Sequence, residues 1–446
     1  MVHTFQCLGR RFTVDTESGS FFETDELTQK LIESRNSPVQ SPAGEFSCFP
    51  DKEIQEATRE IDALIRECVL FSDPPAADPP EYTGIIKSLC LNISHRCNLK
   101  CAYCFADGGA YGEKAENMPL ETAIAAIDFL IEKSGSVQNL EVDFFGGEPL
   151  LNLSAVQGAV AYARSSEKKH RKRFRFTITT NALLLNDGAA HFFNREMDNV
   201  VLSIDGRENV HNSVRKTLAG ADSFGLAKTN ALKFIKTRGE KPYYVRGTFT
   251  ASNLDFAKDA LYLRDCGFDS VSLEPAVLPA HHPLAIKESD LEAVRAEYER
   301  LAAEYLARRA RGDWFTFFHF MMDIYNGPCE QKRLKSCGAG CEYVAVTPDG
   351  NIYPCHQFAG NRAFLIGNVL TGRYEKEIPL KFGNLNHVSA KKTCKECWAK
   401  YYCSGGCAAA AVKLNGRLCA PHEISCAIMK KRIECALAIY AIESFG

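Results

Sequence analysis

Between residues 86 and 277 the hydrophobic pattern alternates between strand and helix. Strand-like runs are SLCLNIS (88–94), LEVDFFGG (140–147), RFTITTN (175–181), VVLSIDG (200–206), YYVRGTFT (243–250) and SVSLEPAV (270–277). Helical stretches with i, i+3, i+4 apolar spacing lie between them, such as PLETAIAAIDFLIEKS, where Pro119 takes a favourable first-turn position. Six near-continuous apolar strands joined by helices predict an α/β fold with a parallel, helix-covered sheet. An open or partial (β/α)6 barrel fits best, and a doubly wound sheet is the second choice. In either architecture the chemistry belongs beyond the carboxyl ends of the strands.

The flanks read differently. Residues 1–71 predict a small module: two short alternating runs around Glu17-Ser18-Gly19 signal a hairpin, and TDELTQKLIESR and DKEIQEATREIDALIRECVLF follow as amphipathic helices. That combination suggests a winged-helix-like domain. SDPPAADPPE carries four prolines in ten residues and reads as a semi-rigid linker, placed at 72–85. The segment SDLEAVRAEYERLAAEYLARRARG predicts a long helix whose charges form a solvated face. After it the βα rhythm stops and a Cys- and Gly-rich tail begins. The expected domains are therefore 1–71, the linker 72–85, a barrel at 86–320 and the tail at 321–446.

Charge removes some partners. With 53 basic and 55 acidic residues the net charge is −2, so no global electrostatic case exists for nucleic acid or a membrane surface. No apolar run reaches transmembrane length, and MVHTFQCLGRR lacks the apolar core of a secretory signal. The expected location is the cytoplasm.

Cysteine is the anomaly, at 19 residues. In a reducing compartment, cysteines at metal spacing are a better reading than disulfides. Cys97, Cys101 and Cys104 follow the first strand directly. Three thiolates can hold three irons of a [4Fe–4S] cube and leave the fourth iron open to a small molecule. A structural zinc would need a fourth ligand, and His95 is poorly spaced for it. Cys337, Cys355, Cys394, Cys397, Cys403, Cys407 and Cys426 crowd the tail. A pair of structural zinc ribbons would explain the tail but not the open triad.

C-x3-C-x2-C, with Tyr103 before the last cysteine, resembles the signature of radical S-adenosylmethionine (SAM) enzymes. The resemblance implies that Cys97, Cys101 and Cys104 hold a catalytic [4Fe–4S] cluster whose unique iron binds SAM, which is cleaved to methionine and a 5′-deoxyadenosyl radical. Gly146, Gly147 and Glu148 close strand 2 in the family's GGEP motif; the glycines would let backbone approach a ligand, and Glu148 would accept from the SAM ammonium. Thr180, Asn181 and Ser203 match further SAM-contacting positions. Arg215 is the candidate carboxylate partner, with a plain surface arginine as the alternative. Glu274, ending strand 6, would face the adenosine or the substrate, or simply cap.

The tail resembles the SPASM extension of radical SAM maturases. That likeness implies auxiliary cluster I on Cys337, Cys355 and Cys407, and auxiliary cluster II on Cys394, Cys397, Cys403 and Cys426, three [4Fe–4S] clusters in all. Cys419 could replace Cys426. The fourth position of cluster I falls to Cys341, to Cys329, or to no protein residue; in the family pattern position 341 is usually not cysteine. Cys7, Cys48, Cys68, Cys90, Cys266 and Cys435 have no partners at metal spacing and default to free buried thiols.

Across residues 86–438, stretches such as LEVDFFGGEPL, EYVAVTPDGNIYPCHQF and CWAKYYCSGGCAA resemble the maturases of six-cysteine (SCIFF) peptides, which form the thioethers of sactipeptides and ranthipeptides. The implied partners are a Cys-rich precursor peptide, its leader bound by residues 1–71 as an added strand, and a low-potential electron donor. A DNA-binding winged helix is the alternative for the module, which lacks a clear basic recognition helix. Rival functions are another SPASM enzyme, such as an anaerobic sulfatase maturase forming formylglycine, and a non-catalytic Fe–S or zinc protein.

Overall fold

The computed structural model describes residues 1–36, 46–74, 81–322 and 333–445. Cys329 and most of the proline-rich segment lie outside the described residues.

Residues 1–71 begin with three antiparallel strands, β1 (Val2–Cys7), β2 (Arg10–Asp15) and β3 (Ser20–Glu23), followed by helices α1 (Glu26–Asn36) and α2 (Asp51–Arg66). The single expected hairpin is thus a three-stranded sheet. The additional turn is Leu8-Gly9, both at positive φ (55° and 75°), a pairing that suits a tight two-residue hairpin. Only Gly9 advertised it, and the run from His3 to Val14 otherwise reads as one strand.

The central sheet carries all six expected strands: β4 (Ser88–Ser94), β6 (Asn139–Gly146), β7 (Arg173–Thr180), β8 (Asn199–Ser203), β10 (Tyr243–Phe249) and β11 (Ser270–Pro275). Their spatial order follows the chain order, each pair is parallel, and helices connect them. A doubly wound sheet would reverse direction at a switch point. This one never does, so it is the open barrel. The strands alternate. Leu140, Val142 and Phe144, then Phe174, Phe176 and Ile178, are buried in the main core with helices α3 (Leu120–Lys133) and α4 (Leu153–His170), while Asp143, Phe145, Thr177 and Thr179 lie on the opposite, inner face. Pro119 caps α3 rather than entering its first turn.

The barrel sheet does not stop at the barrel. Short β12 (Thr316–Phe317) adds beside β11, and on the other edge β13 (Tyr343–Val346) pairs parallel to β4 and turns back into β14 (Asn351–Tyr353). The Cys-rich tail is thereby joined to the barrel by backbone hydrogen bonds next to the strand that precedes the three-cysteine loop. Helix α9 (Leu291–Ala310) matches the expected long charged helix, but its charges are not all solvated. Glu297 is buried, and its carboxylate accepts from the N–H of Ala257 (3.1 Å) at the start of α8 (Phe256–Asp265).

The N-terminal sheet is docked on the tail. Glu17 accepts from Lys400 Nζ (2.6 Å) and Tyr401 Oη (2.9 Å), and His3 stacks on Trp398 with ring centroids 3.9 Å apart. Cys7 and Cys435, expected as unrelated thiols, meet across this contact with sulfurs 3.9 Å apart. Cys48 and Cys68 are exposed and Cys266 half-buried, so the expectation of buried thiols does not hold for those three.

Candidate functional site

The three-cysteine loop follows β4 and contains a three-residue strand, β5 (Leu99–Cys101), paired antiparallel with β9 (Arg215–Thr217). That pairing sets Cys101 directly opposite Arg215 in register. Arg215 Nη1 lies 3.9 Å from the Cys101 sulfur, and its Nε donates to Asp205 Oδ2 (2.9 Å). Asp205 also accepts from Tyr103 Oη (2.6 Å) and from the N–H of Thr248 (2.9 Å). Burial alone would lower the Arg215 pKa, but Asp205 outweighs it and fixes the guanidinium in its charged form. Asp205 is the residue that sequence reasoning underused. Its signal was a carboxylate immediately past strand 4, where the fold places chemistry.

Gly146 and Gly147 line a cavity and also permit a close backbone approach. A Cβ on Gly147 would stand 2.2 Å from the Arg96 carbonyl oxygen, and one on Gly146 would stand 2.4 Å from the Ser94 carbonyl oxygen. Backbone N–H groups of Gly147 and Glu148 donate to those same two carbonyls (2.7 and 2.8 Å). The glycines therefore let the β6 terminus press against the backbone leading into Cys97. Glu148, buried, accepts from Thr180 Oγ1 (2.7 Å), the N–H of Leu150 (3.0 Å) and the N–H of Asn181 (2.8 Å). Burial nonetheless raises its pKa. Asn181 Nδ2 donates to Asn98 Oδ1 (2.7 Å), which ties the end of β7 to the cysteine loop.

These residues line one cavity of about 470 Å³. On its far wall are Cys403, Cys407 and Cys426 of the tail, and on the β10–β11 side are Ser203, Arg246, Thr248 and Glu274. Glu274 pairs with Arg432 of the C-terminal helix Glu423–Phe445 (3.1 Å) and with His319 (3.3 Å). Burial would raise its pKa, but Arg432, His319 and Arg246 together outweigh burial and hold it at about 2. Burial, reinforced by Arg432, holds His319 at about 3 and therefore neutral.

The remaining cysteines gather into two further sets. Cys394, Cys397, Cys403 and Cys426 line a neighbouring cavity of about 890 Å³. Burial first, then the proximity of Cys403, Cys394 and Cys397, pushes the Cys426 thiol up to about 12. Cys419 lines the same cavity. Cys355 feels Cys337 and Cys407, which in turn feel each other. Burial first, with Cys337 among the lesser causes, pushes the Cys341 thiol up to about 12, and it donates to the Pro379 carbonyl (3.6 Å) among buried side chains that include Cys355. Among the described residues no three His, Cys, Asp or Glu side chains converge closely enough to hold a single metal ion. Within each tail set the thiols lie near enough to perturb one another electrostatically.

Residues 91–237 match the radical SAM superfamily. The chain is 24% identical over 371 residues to the radical SAM cyclopropyl synthase TigE of Paramaledivibacter caminithermalis, covering 77% of this chain and 72% of that protein. It is 26% identical over 338 residues to a cysteine-type anaerobic sulfatase-maturating enzyme of Clostridium perfringens, covering 70% and 86%. The crystal structure of Streptococcus suis SuiB bound to precursor peptide SuiA shares the fold with a TM-score of 0.52, at 17% identity over 90% of this chain and 93% of that one. The tenth left outside is smaller than the segment 1–71, so the shared fold takes in part of that segment. No helix among the described residues is long and apolar enough to cross a membrane. The loop of three cysteines after the first barrel strand thus lies within a matched radical SAM domain, which implies a [4Fe–4S] cluster and SAM, and maturases are among the proteins this chain is similar to.

Proposed function

We propose that this chain is a radical SAM peptide maturase that forms thioether crosslinks between cysteine thiols and acceptor-residue carbons of a ribosomally made, Cys-rich precursor peptide. The observation that supports this most is the single cavity running from the three-cysteine loop to the thiols of the tail. A [4Fe–4S] cluster on Cys97, Cys101 and Cys104 with SAM would supply a 5′-deoxyadenosyl radical, and clusters on Cys337, Cys355, Cys407 and on Cys394, Cys397, Cys403, Cys426 would take up an electron.

The chain's own residues bind, orient and enclose. Glu148 offers carboxylate oxygens, already aimed by Thr180 and Asn181, to the SAM ammonium, and Arg215, braced by Asp205, takes its carboxylate. Gly146, Gly147, Tyr103 and Ser203 complete that wall. Cys407 lines the cavity, and a cluster held there with Cys337 and Cys355 would offer a peptide cysteine a position on the cavity side. Holding the peptide carbon and thiol within one enclosed volume supplies the proximity that a C–S bond needs. Residues 1–71, docked on the tail through Glu17 and His3, would present the leader, and a low-potential donor would supply electrons from outside.

Overall, one C–H and one S–H bond are exchanged for one C–S bond, with two hydrogens lost. The test is anaerobic incubation of the reconstituted enzyme with SAM, dithionite and a short Cys-rich peptide encoded beside its gene. Each crosslink should remove two hydrogens and one iodoacetamide-reactive thiol, with 5′-deoxyadenosine released. Loss of two hydrogens with every thiol retained would point to a carbon–carbon ring closure instead. A peptide aldehyde would point to formylglycine chemistry, and either result overturns the thioether reading.

A further inference from the structure

Among the described residues, Arg246 faces the cavity without an ion pair. On β10, Val245 and Phe249 turn into the helix-covered core, so Arg246 and Thr248 turn inwards. Register sets Arg246 between Ser203 of β8 and Ser272 of β11, one layer below Thr248 and Glu274. Two residues of strand amount to about 6–7 Å. The Arg246 side chain is exposed and lines the cavity.

Every other charge on that wall is accounted for. Glu274 is engaged by Arg432 and His319, Arg215 by Asp205, and Glu148 by Thr180, Leu150 and Asn181. Glu274 senses the field of Arg246, but among the described residues no carboxylate forms an ion pair with Arg246 and no acceptor takes a hydrogen bond from it. The two histidines nearby add no charge. His319 is neutral as stated, and burial first, then Arg246 itself, holds His356 at about 4. The Ser203 and Ser272 neighbours are neutral.

Among the described residues, Arg246 therefore stands at the cavity without a direct ion pair, the Glu274 carboxylate one layer on being held by Arg432. A guanidinium fork is matched in shape to a carboxylate. The SAM carboxylate has another claimant in Arg215, on β9 and 3.9 Å from the Cys101 sulfur. We propose that Arg246 is a substrate-specificity residue that binds a side-chain carboxylate, aspartate or glutamate, of the core peptide beside the residue being modified.

This inference rests on the peptide-maturase reading, and its experiment has an arm that stands apart from the product. Saturation-transfer NMR on the reconstituted holoenzyme with SAM uses N-acetyl-aspartate N-methylamide as the probe, with the asparagine analogue as control. The aspartate probe should show contact with wild type and lose it in Arg246→Gln, and the asparagine analogue should show none; equal signals in both proteins overturn the proposal. In turnover, Arg246→Gln should raise KM for the peptide about tenfold or more, the loss expected for a charge-assisted pair. Amidating the critical peptide carboxylate should cost wild type the same factor and cost Arg246→Gln nothing further. Arg246→Lys, with a full iron count, should recover part of the loss and guards against a folding defect. Weakened SAM binding in Arg246→Gln, with peptide KM unchanged, would assign the guanidinium to the SAM carboxylate and sink the peptide assignment. If wild type binds the aspartate probe through Arg246 but its product is not a thioether, the maturase chemistry fails and the acidic-ligand site stands.

Discussion

Replacing Glu17 with alanine should loosen the N-terminal module from the tail without unfolding either. The Glu17 and Lys400 side chains are 3% and 9% exposed, and the same carboxylate also takes Tyr401 Oη and lies 3.6 Å from the N-terminal amine. Removing one partner of so enclosed a pair leaves the other charge without compensation, which costs about 3–5 kcal/mol. At the lower bound that is roughly a hundredfold in the local opening equilibrium. The amides of Cys403 and Ser404, bonded to Ala399 and Lys400 carbonyls, report that opening, because they lie in the turn carrying Lys400. Hydrogen–deuterium exchange there should accelerate by about two orders of magnitude in Glu17→Ala. Adding Lys400→Met should recover most of the protection, since an apolar pair of similar volume removes the stranded charge. Exchange within threefold of wild type in the single variant would show that the contact carries little energy. Failure of the double variant to recover would show that shape, not charge, holds the module.

Gly147→Ala should lose the iron attributed to Cys97, Cys101 and Cys104, because its Cβ would meet the Arg96 carbonyl at 2.2 Å; iron analysis showing a wild-type count would refute the packing account. Cys341→Ser should keep the full complement of about twelve irons and retain crosslinking, since the thiol is turned to Pro379; loss of about four irons would make it a ligand. Asp143, on the inner face of β6, is raised by burial, and by Glu141, to about 7. Its folded form holds a proton that the unfolded chain releases near pH 4, so its contribution is complete below about pH 4 and lost progressively as pH rises to about 7. Asp143→Asn should therefore raise the melting temperature more at pH 8 than at pH 4.5; equal shifts at both would refute that assignment.

Much of the barrel was legible because β-branched and aromatic residues alternate within each strand and because chain order equals strand order. Cysteine spacing likewise pointed to groups of thiols, and the fold brings several members of each near enough to influence one another. What sequence could not show are pairings between distant residues. Glu274 meets Arg432 across 158 positions, and Cys7 meets Cys435 across 428, with no local pattern linking either pair. The glycines of the strand-2 motif illustrate a second limit. Their presence was readable, but whether the space they leave is filled by ligand or by the chain's own carbonyls depends on where Ser94 and Arg96 run. Arg246 shows a third, since a lone arginine in an apolar strand becomes informative only when its neighbours are seen to be already paired.

The C-terminal helix is where these long-range pairings converge, and its sequence explains how one element can serve three sites. Glu423–Phe445 turns Cys426 toward the tail thiols, Arg432 into the barrel against Glu274 and Tyr298 (2.7 Å), and Glu434 and Cys435 toward the N-terminal sheet at His3 and Cys7. A helix advances about 1.5 Å per residue, so the nine residues from Cys426 to Cys435 span only about 14 Å. Lys431 ties the same stretch to α9 through Glu299. A small displacement of this helix would thus move the Arg432 guanidinium, the Cys426 thiol and the docking contact of residues 1–71 together. Packed interfaces of this kind shift as units rather than deforming continuously. Occupation of the N-terminal module and the electrostatics of the cavity therefore share one rigid element, with Arg432 as its point of entry into the barrel.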